Sequence, residues 1–257
     1  FFFQAEDGIR DYKVTGVRRV LFRSVRLARD SWTGPIQKID GPVILYLNHP
    51  GWWDPLVCMI VCQRMFADRL HYAAIDARAL QKYRLFERMG FFGVEQESRA
   101  GARRFLEVGQ ALMQSDDRAT LWVTAEGHFT DPRKRPVELR AGVAHLAANL
   151  SHGMIVPMAI EYAFWQERTA EALVRLGEPI RVVEHRGLRA RSWLSLMTGA
   201  LQTNMDALAS AAMTRDPAQF TTLLRGRSGV GGIYDQWRRF KALVTGKKFV
   251  AAHADEG

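Results

Sequence analysis

Residues 42–56 read PVILYLNHPGWWDPL, and the architecture of the chain follows from them. Residues 42–47 form an unbroken apolar run of strand length, the pattern of a strand buried on both faces. Asn48, Pro50 and Gly51 then break any continuing periodicity. Pro55 opens an apolar stretch over residues 56–66 that has the length of a helix. The order predicts a strand, a turn and a helix. The turn carries His49, and Asp54 lies five positions on. On an uninterrupted helix positions i and i+5 lie about 140° apart, on different faces. With proline and glycine between them another arrangement is expected: His49 on the turn, Asp54 as helix N-cap, and Pro55 at the first helical position. That geometry folds the carboxylate onto one imidazole nitrogen and leaves the other facing a cleft. A neutral imidazole so held is a general base for a hydroxyl.

On either side of this unit, strands and helices alternate. Strands are expected over residues 70–75, 91–94, 120–124, 154–162 and 172–176. Helices are expected over 56–66, 77–89 (ended by Gly90), 99–113 and 142–150. Pro157, inside the fifth of the predicted strands if residues 42–47 are counted first, argues for a sheet edge or a bulge. From about Arg189 no further strand is predicted. Leu194, Met197, Leu201, Met205, Leu208 and Ala212 make a helical stripe, and a glycine-rich break follows at 226–232. A last amphipathic helix is expected over 234–244. It carries Trp237 on one face and Arg238, Arg239 and Lys241 on the other, which suits either the surface of an anionic bilayer or a charged outer face. The fold class is therefore α/β: a mixed, largely parallel sheet flanked by helices, with a helical C-terminal extension.

The first 24 residues, FFFQAEDGIRDYKVTGVRRVLFRS, resemble the conceptual translation of a short-read sequencing adapter and are set aside from fold reasoning. The expected organisation is a non-native segment at 1–24, an α/β core at 25–185 and a helical extension at 186–257. The native sequence is expected to start near Val25, with its true beginning replaced. Five basic and three acidic residues fall in the first 24, so about +7 of the chain's formal +9 remains. A basic balance suits an anionic partner such as a membrane surface, a phosphorylated substrate or nucleic acid. The basic residues are scattered and no reader motif for nucleic acid appears, so a nucleic-acid-binding module is disfavoured. Cys58 and Cys62, the only cysteines, have helix spacing inside an apolar run. That is neither a metal nor a redox spacing, and it fits a reducing setting. No run approaches the roughly 20 apolar residues that span a bilayer.

Four stretches, in order, carry a resemblance. They are Asn48-His49-Pro50-Gly51-Trp52-Trp53-Asp54, then Gly90-Phe91-Phe92-Gly93-Val94 with Ser98-Arg99 beyond, then Ala125-Glu126-Gly127, then Ile155-Val156-Pro157-Met158-Ala159-Ile160. Together they are similar to the four blocks of the glycerophospholipid acyltransferase family, the lysophosphatidate acyltransferase group, over about residues 35–180. The resemblance implies a glycerolipid acyltransferase-like fold and transfer of a fatty acyl group from acyl-CoA or acyl carrier protein to a hydroxyl. It implies no further cofactor and no metal. It places the protein peripherally on the cytoplasmic face of the cell membrane, with a lipid acceptor and the acyl thioester as partners.

The resemblance makes His49 and Asp54 the catalytic pair. It assigns Glu126, Gly127 and Arg99 to the acceptor pocket. The third block usually continues Thr-Arg-Ser, where this chain has His128-Phe129-Thr130-Asp131, so the phosphate-holding arginine is absent. Arg133, Lys134, Arg135 and Arg140 are the candidates to replace it, with Arg133 and Arg135 foremost. Trp52 and Trp53 are expected to line the acyl pocket. Backbone N–H groups around residues 50–53 are one source of oxyanion stabilisation. His128 is read as a pocket-lining variant, and His145 and His152 as residues without chemistry. The altered blocks leave two acceptor classes open: a lysophospholipid or glycerol phosphate, or a non-phosphate lipid such as a glycosylated terpenoid, an amino-acid lipid or a sugar lipid.

Overall fold

A computed structural model describes residues 22–32, 39–82 and 85–226. Its elements in chain order are β1 (Ser24–Ala28), β2 (Val43–Leu47), α1 (Asp54–Met65), β3 (Leu70–Asp76), α2 (Ala77–Lys82), α3 (Leu85–Arg88), β4 (Phe91–Val94) and α4 (Arg99–Ser115). There follow β5 (Ala119–Thr124), α5 (Ala141–Ala148), β6 (Met154–Ala163), β7 (Glu171–Leu176), β8 (Ile180–Arg181), α6 (Ala190–Met213) and β9 (Phe220–Arg225). The strands make one sheet in the order β4-β3-β5-β2-β6-β7-β1-β9, with β8 also paired to β6. From β4 through β6 every pairing is parallel, and β6 to β7 is antiparallel. This is the mixed, largely parallel α/β sheet that the alternation of strands and helices predicts.

The core divides by the two-residue period of the strands. Ile44 and Tyr46 of β2, Leu121 and Val123 of β5, and Ile155 and Ala159 of β6 face α4, α5 and α6. Leu45 and Leu47, Trp122, and Val156, Met158 and Ile160 face the opposite way, onto Val57, Ile60, Val61 and Cys62 of α1. β2 is buried along its whole length, so its apolar run without alternation is the consequence of helices on both faces. Each side chain withdrawn fully from water contributes roughly 1.5–3 kcal/mol. Tyr46 also donates its hydroxyl to the Met197 carbonyl at 2.9 Å, which ties α6 to the central strand.

The structure departs from the sequence reading in three places. First, strands do not stop at Arg189: β9 returns to the sheet and pairs antiparallel with β1. Its FTTLLR segment is short and follows a long helix, and only its place beside β1 makes it a strand. β1 and the two-residue β8 were also not foreseen. Second, Pro157 lies in an interior strand, not at an edge or a bulge. Its carbonyl accepts from Gly177 N–H at 2.9 Å, on the side where β7 has ended and β8 has not begun. A missing N–H costs no ladder bond there. The helix predicted over 77–89 is seen on both sides of residues 83–84, which lie outside the described residues, as α2 and α3. Gly90, after it, has φ +83°, and a Cβ would stand 2.4 Å from the His71 carbonyl oxygen, so only glycine fits. Third, Asp54 is not the N-cap, as described below.

The expected boundary at 24/25 falls at the first residue of β1, and Phe22 and Ser24 are buried. The glycine-rich break from residue 227 onward and the amphipathic helix at 234–244 lie outside the described residues. Among the described residues no helix is long and apolar enough to cross a membrane, and no group of side chains is arranged to hold a metal ion.

Candidate active site

Three parallel strands deliver the residues of the site to one edge of the sheet. β2 stops at Leu47 and β5 at Thr124, and the chain turns away from both at their carboxyl ends. Ligand sites of open α/β sheets form at such ends. Ala125 N–H donates to the Leu47 carbonyl at 2.9 Å, extending the β2–β5 pairing by one step. On the other side Asn48, buried, continues the β2–β6 pairing with its side chain. Its amide donates to the Ile160 carbonyl at 2.9 Å and its Oδ1 accepts Ile160 N–H at 2.8 Å. The residue before His49 is thus locked into the sheet as firmly as a strand residue.

His49 Nδ1 lies 2.6 Å from Asp54 Oδ2. Asp54 is wholly buried, while the His49 side chain keeps 18% of its surface exposed. Gly51 N–H also donates to Asp54 Oδ2, at 3.2 Å, and Tyr162 donates its hydroxyl to Oδ1 at 2.6 Å. The carboxylate therefore has donors on both oxygens. Trp53 occupies the N-cap, Asp54 is the first helical residue, and the proline follows it. The carboxylate is drawn back to His49 and Gly51 and so caps no N–H of α1. The turn is one residue tighter than predicted, yet the folding of Asp54 onto the imidazole is as expected. Gly51 N–H, within the stretch expected to stabilise an oxyanion, is already engaged by Asp54.

Glu126 is buried, and its Oε2 accepts the backbone N–H of His49 at 2.7 Å. Burial raises its carboxyl above the ordinary range, and the His49 N–H, with the charges of His128, His49 and Lys134, works the other way. Thr130 N–H donates to the His49 carbonyl at 3.0 Å. His49 is consequently held at both of its backbone polar groups by the turn after β5. Gly127 takes φ +74°, and a Cβ there would stand 2.9 Å from Arg140 Cγ. Of the four cations that could replace the missing third-block arginine, Arg140 thus lies against the Glu126–Gly127 turn. It also pairs with Glu97 at 3.7 Å.

The other sequence candidates sit further out. Arg99 is the exposed first residue of α4, after the edge strand β4, with β3 and β5 between that strand and β2. Arg133 forms a two-point pair with Asp131, at 2.9 and 2.6 Å. Arg135 pairs with Asp206 of α6 and donates to the carbonyls of Pro132 and Lys134. Trp52 and Trp53 are 54% and 41% exposed, so neither belongs to the core. Phe129 is 55% exposed and its ring lies 4.5 Å from the His49 ring, centre to centre. His128 is exposed, and His152 pairs with Asp117 at 2.9 Å.

Sequence reasoning gave no role to Asn48, Tyr162 or Phe129. For Tyr162 a signal existed. The period of β6 puts residues 158, 160 and 162 on one face, the face covered by α1, whose first residue is Asp54. For Asn48 the signal was an amide following directly on a fully apolar strand, where a buried polar group needs partners.

No curated protein matches this chain. The family model described as Acyltransferase matches residues 25–161, which are more than half of the chain and include His49, Asp54 and Glu126. The chain belongs to that family, the glycerophospholipid acyltransferases.

Proposed function

We propose that the protein transfers a fatty acyl group from acyl-CoA or acyl carrier protein to a hydroxyl of a lysophospholipid or glycerol-phosphate acceptor, with His49 as general base. One observation carries the reading. His49 presents Nδ1 to a wholly buried carboxylate at 2.6 Å while its ring stays partly exposed. With Nδ1–H donating to Asp54, Nε2 is the nitrogen left to accept a proton. The acceptor hydroxyl, a poor nucleophile at neutral pH, loses its proton to Nε2 as it attacks the thioester carbonyl. Asp54 holds the tautomer and stabilises the imidazolium. The tetrahedral intermediate then collapses, the C–S bond breaks, and the departing thiolate takes the proton from His49 to leave as the thiol. No acyl-enzyme is needed. Glu126 and Gly127 line the approach to His49. Trp52 and Trp53, exposed beside it, suit the acyl chain and the interface of a membrane to which the protein binds peripherally.

A second reading keeps the chemistry and changes the acceptor to a non-phosphate lipid. It is favoured by the engagement of Arg133 with Asp131 and of Arg135 with Asp206. Under the first reading the phosphate ligands are Arg99 and Arg140, the latter exchanging its 3.7 Å pair with Glu97 for the phosphate. Radiolabelled palmitoyl-CoA offered with lysophosphatidate, and in parallel with uncharged hydroxyl lipids, separates the two. His49→Ala should lower transfer by about 10²–10⁴-fold. Undiminished transfer by that variant would reject His49 as the base.

A further inference from the structure

We infer that Tyr162 is a positioning residue for the His49–Asp54 pair and acts through the second oxygen of Asp54. The inference rests on the reading of His49 as base. Three elements meet at this carboxylate: the turn after β2 brings His49, the start of α1 brings Asp54, and the end of β6 brings Tyr162. Nδ1 of His49 and N–H of Gly51 take Oδ2, and the Tyr162 hydroxyl takes Oδ1 at 2.6 Å. A carboxylate bonded on one oxygen alone can rotate about its own axis and tilt the imidazole with it. Donors on both oxygens hold its plane. The phenol is itself held, partly buried against the apolar face of the sheet that α1 covers. Gly51 also approaches it closely: a Cβ there would stand 3.5 Å from the ring edge.

The bond has a second consequence. A hydroxyl donating to Oδ1 draws off part of the charge that Asp54 presents to the imidazole. Tyr162 therefore weakens the electrostatic hold of the carboxylate on the ring. The titratable groups facing this contact come from three elements: His49 from its turn, Cys58 from α1, and Glu126 from the turn after β5, through the His49 backbone. Burial, with the charge of Asp54, pushes the Tyr162 phenol well above its ordinary range, so it stays a donor across any working pH. Burial likewise pushes the Cys58 thiol up, and it stays neutral.

The test uses the full chain with nitrogen-15-labelled histidine, following the His49 ring by NMR against pH. The wild type is compared with Tyr162→Phe and with 3-fluorotyrosine in place of Tyr162. Phenylalanine removes the donor, and the midpoint should rise by about half a unit. The fluorinated phenol is more acidic and a stronger donor, keeps its shape, and should move the midpoint down. A packing role alone would move neither. In transfer from palmitoyl-CoA, Tyr162→Phe should lose about 10-fold in kcat with KM within about twofold. Midpoints unmoved in both variants, or moved in the same direction, overturn the inference. Should the phenylalanine variant fail to fold, the fluorinated protein decides alone. If His49→Ala transfers as well as wild type, the reading of His49 falls, and the NMR titration still judges the Tyr162 contact by itself.

Discussion

Lowering the pH from 7 to 5 should cost this fold about 2 kcal/mol through one residue, His71, and the effect bears directly on how the active site can be assayed. His71 lies on β3 and is 7% exposed. Its Nε2–H donates to the Phe66 carbonyl at 2.9 Å, and its Nδ1 accepts the indole N–H of Trp122 at 3.1 Å. Both nitrogens are satisfied only in the neutral ring. Burial is the largest cause that holds its titration down, to about 4. In the unfolded chain the same ring titrates near 6.5. As the pH falls through 6.5 the unfolded chain takes up the proton first, so stability drops with acidification and goes on dropping until about pH 4. Between pH 7 and 5 the linkage amounts to about 2 kcal/mol, a large part of a typical 5–15 kcal/mol. Urea denaturation followed by tryptophan fluorescence at the two pH values measures it. His71→Asn keeps an acceptor at the Nδ1 position for the Trp122 indole N–H but leaves the Phe66 carbonyl without its Nε2–H donor, so it should be less stable at pH 7, yet should lose about 2 kcal/mol less on going to pH 5. Equal losses in the two proteins would refute the argument. A pH–rate profile for the His49–Asp54 pair therefore has to be read against the folded fraction at each pH.

Two further substitutions probe the supports of His49. Glu126→Gln keeps an acceptor for the His49 N–H and removes a carboxylate whose titration burial has raised. A raised folded value means that ionisation costs stability as the pH rises, so the glutamine variant should be as stable as wild type at pH 7, or more so. Glu126→Ala removes the acceptor and should cost about 1–3 kcal/mol in urea melts and lower kcat as well. Asn48→Ala strips both Ile160 backbone groups of their partner at a buried position. It should cost about 2–4 kcal/mol by the same measurement, with transfer lost in proportion to the freedom that His49 gains.

The fold was legible where burial imposed a period. Strand β2 has no charged residue between Val43 and Leu47, and no polar group but the Tyr46 hydroxyl bonded to α6, because helices cover both of its faces, and that pattern is written in the chain. α6 was legible for the opposite reason, since the residues it buries recur at helical spacing, with Met197, Leu201, Met205, Leu208 and Ala212 on the stripe that the sequence shows. β9 was not, because its six residues carry too weak a period to be told from a loop. What makes them a strand is the free edge of β1, which lies nearly 200 residues earlier in the chain. Pro157 misled for a related reason. The rule that proline avoids interior strands concerns its N–H, and here that N–H would face the gap between two partner strands.

The same division runs through the site. His49 and Asp54 are five residues apart, and a short turn with proline and glycine was enough to predict that they meet. The bonds that hold them come from far away in the chain. Glu126 reaches the His49 N–H across 77 positions, Tyr162 reaches Asp54 across 108, and Asn48 reaches Ile160 across 112. Local sequence can specify a contact, but a single contact does not orient an imidazole. Orientation needs the backbone of His49 and the far oxygen of Asp54 to be held as well, and those partners exist only once β5 and β6 lie parallel on either side of β2. The site therefore forms only with the sheet. Loss of the β2–β6 register should abolish transfer while His49 and Asp54 themselves remain unchanged.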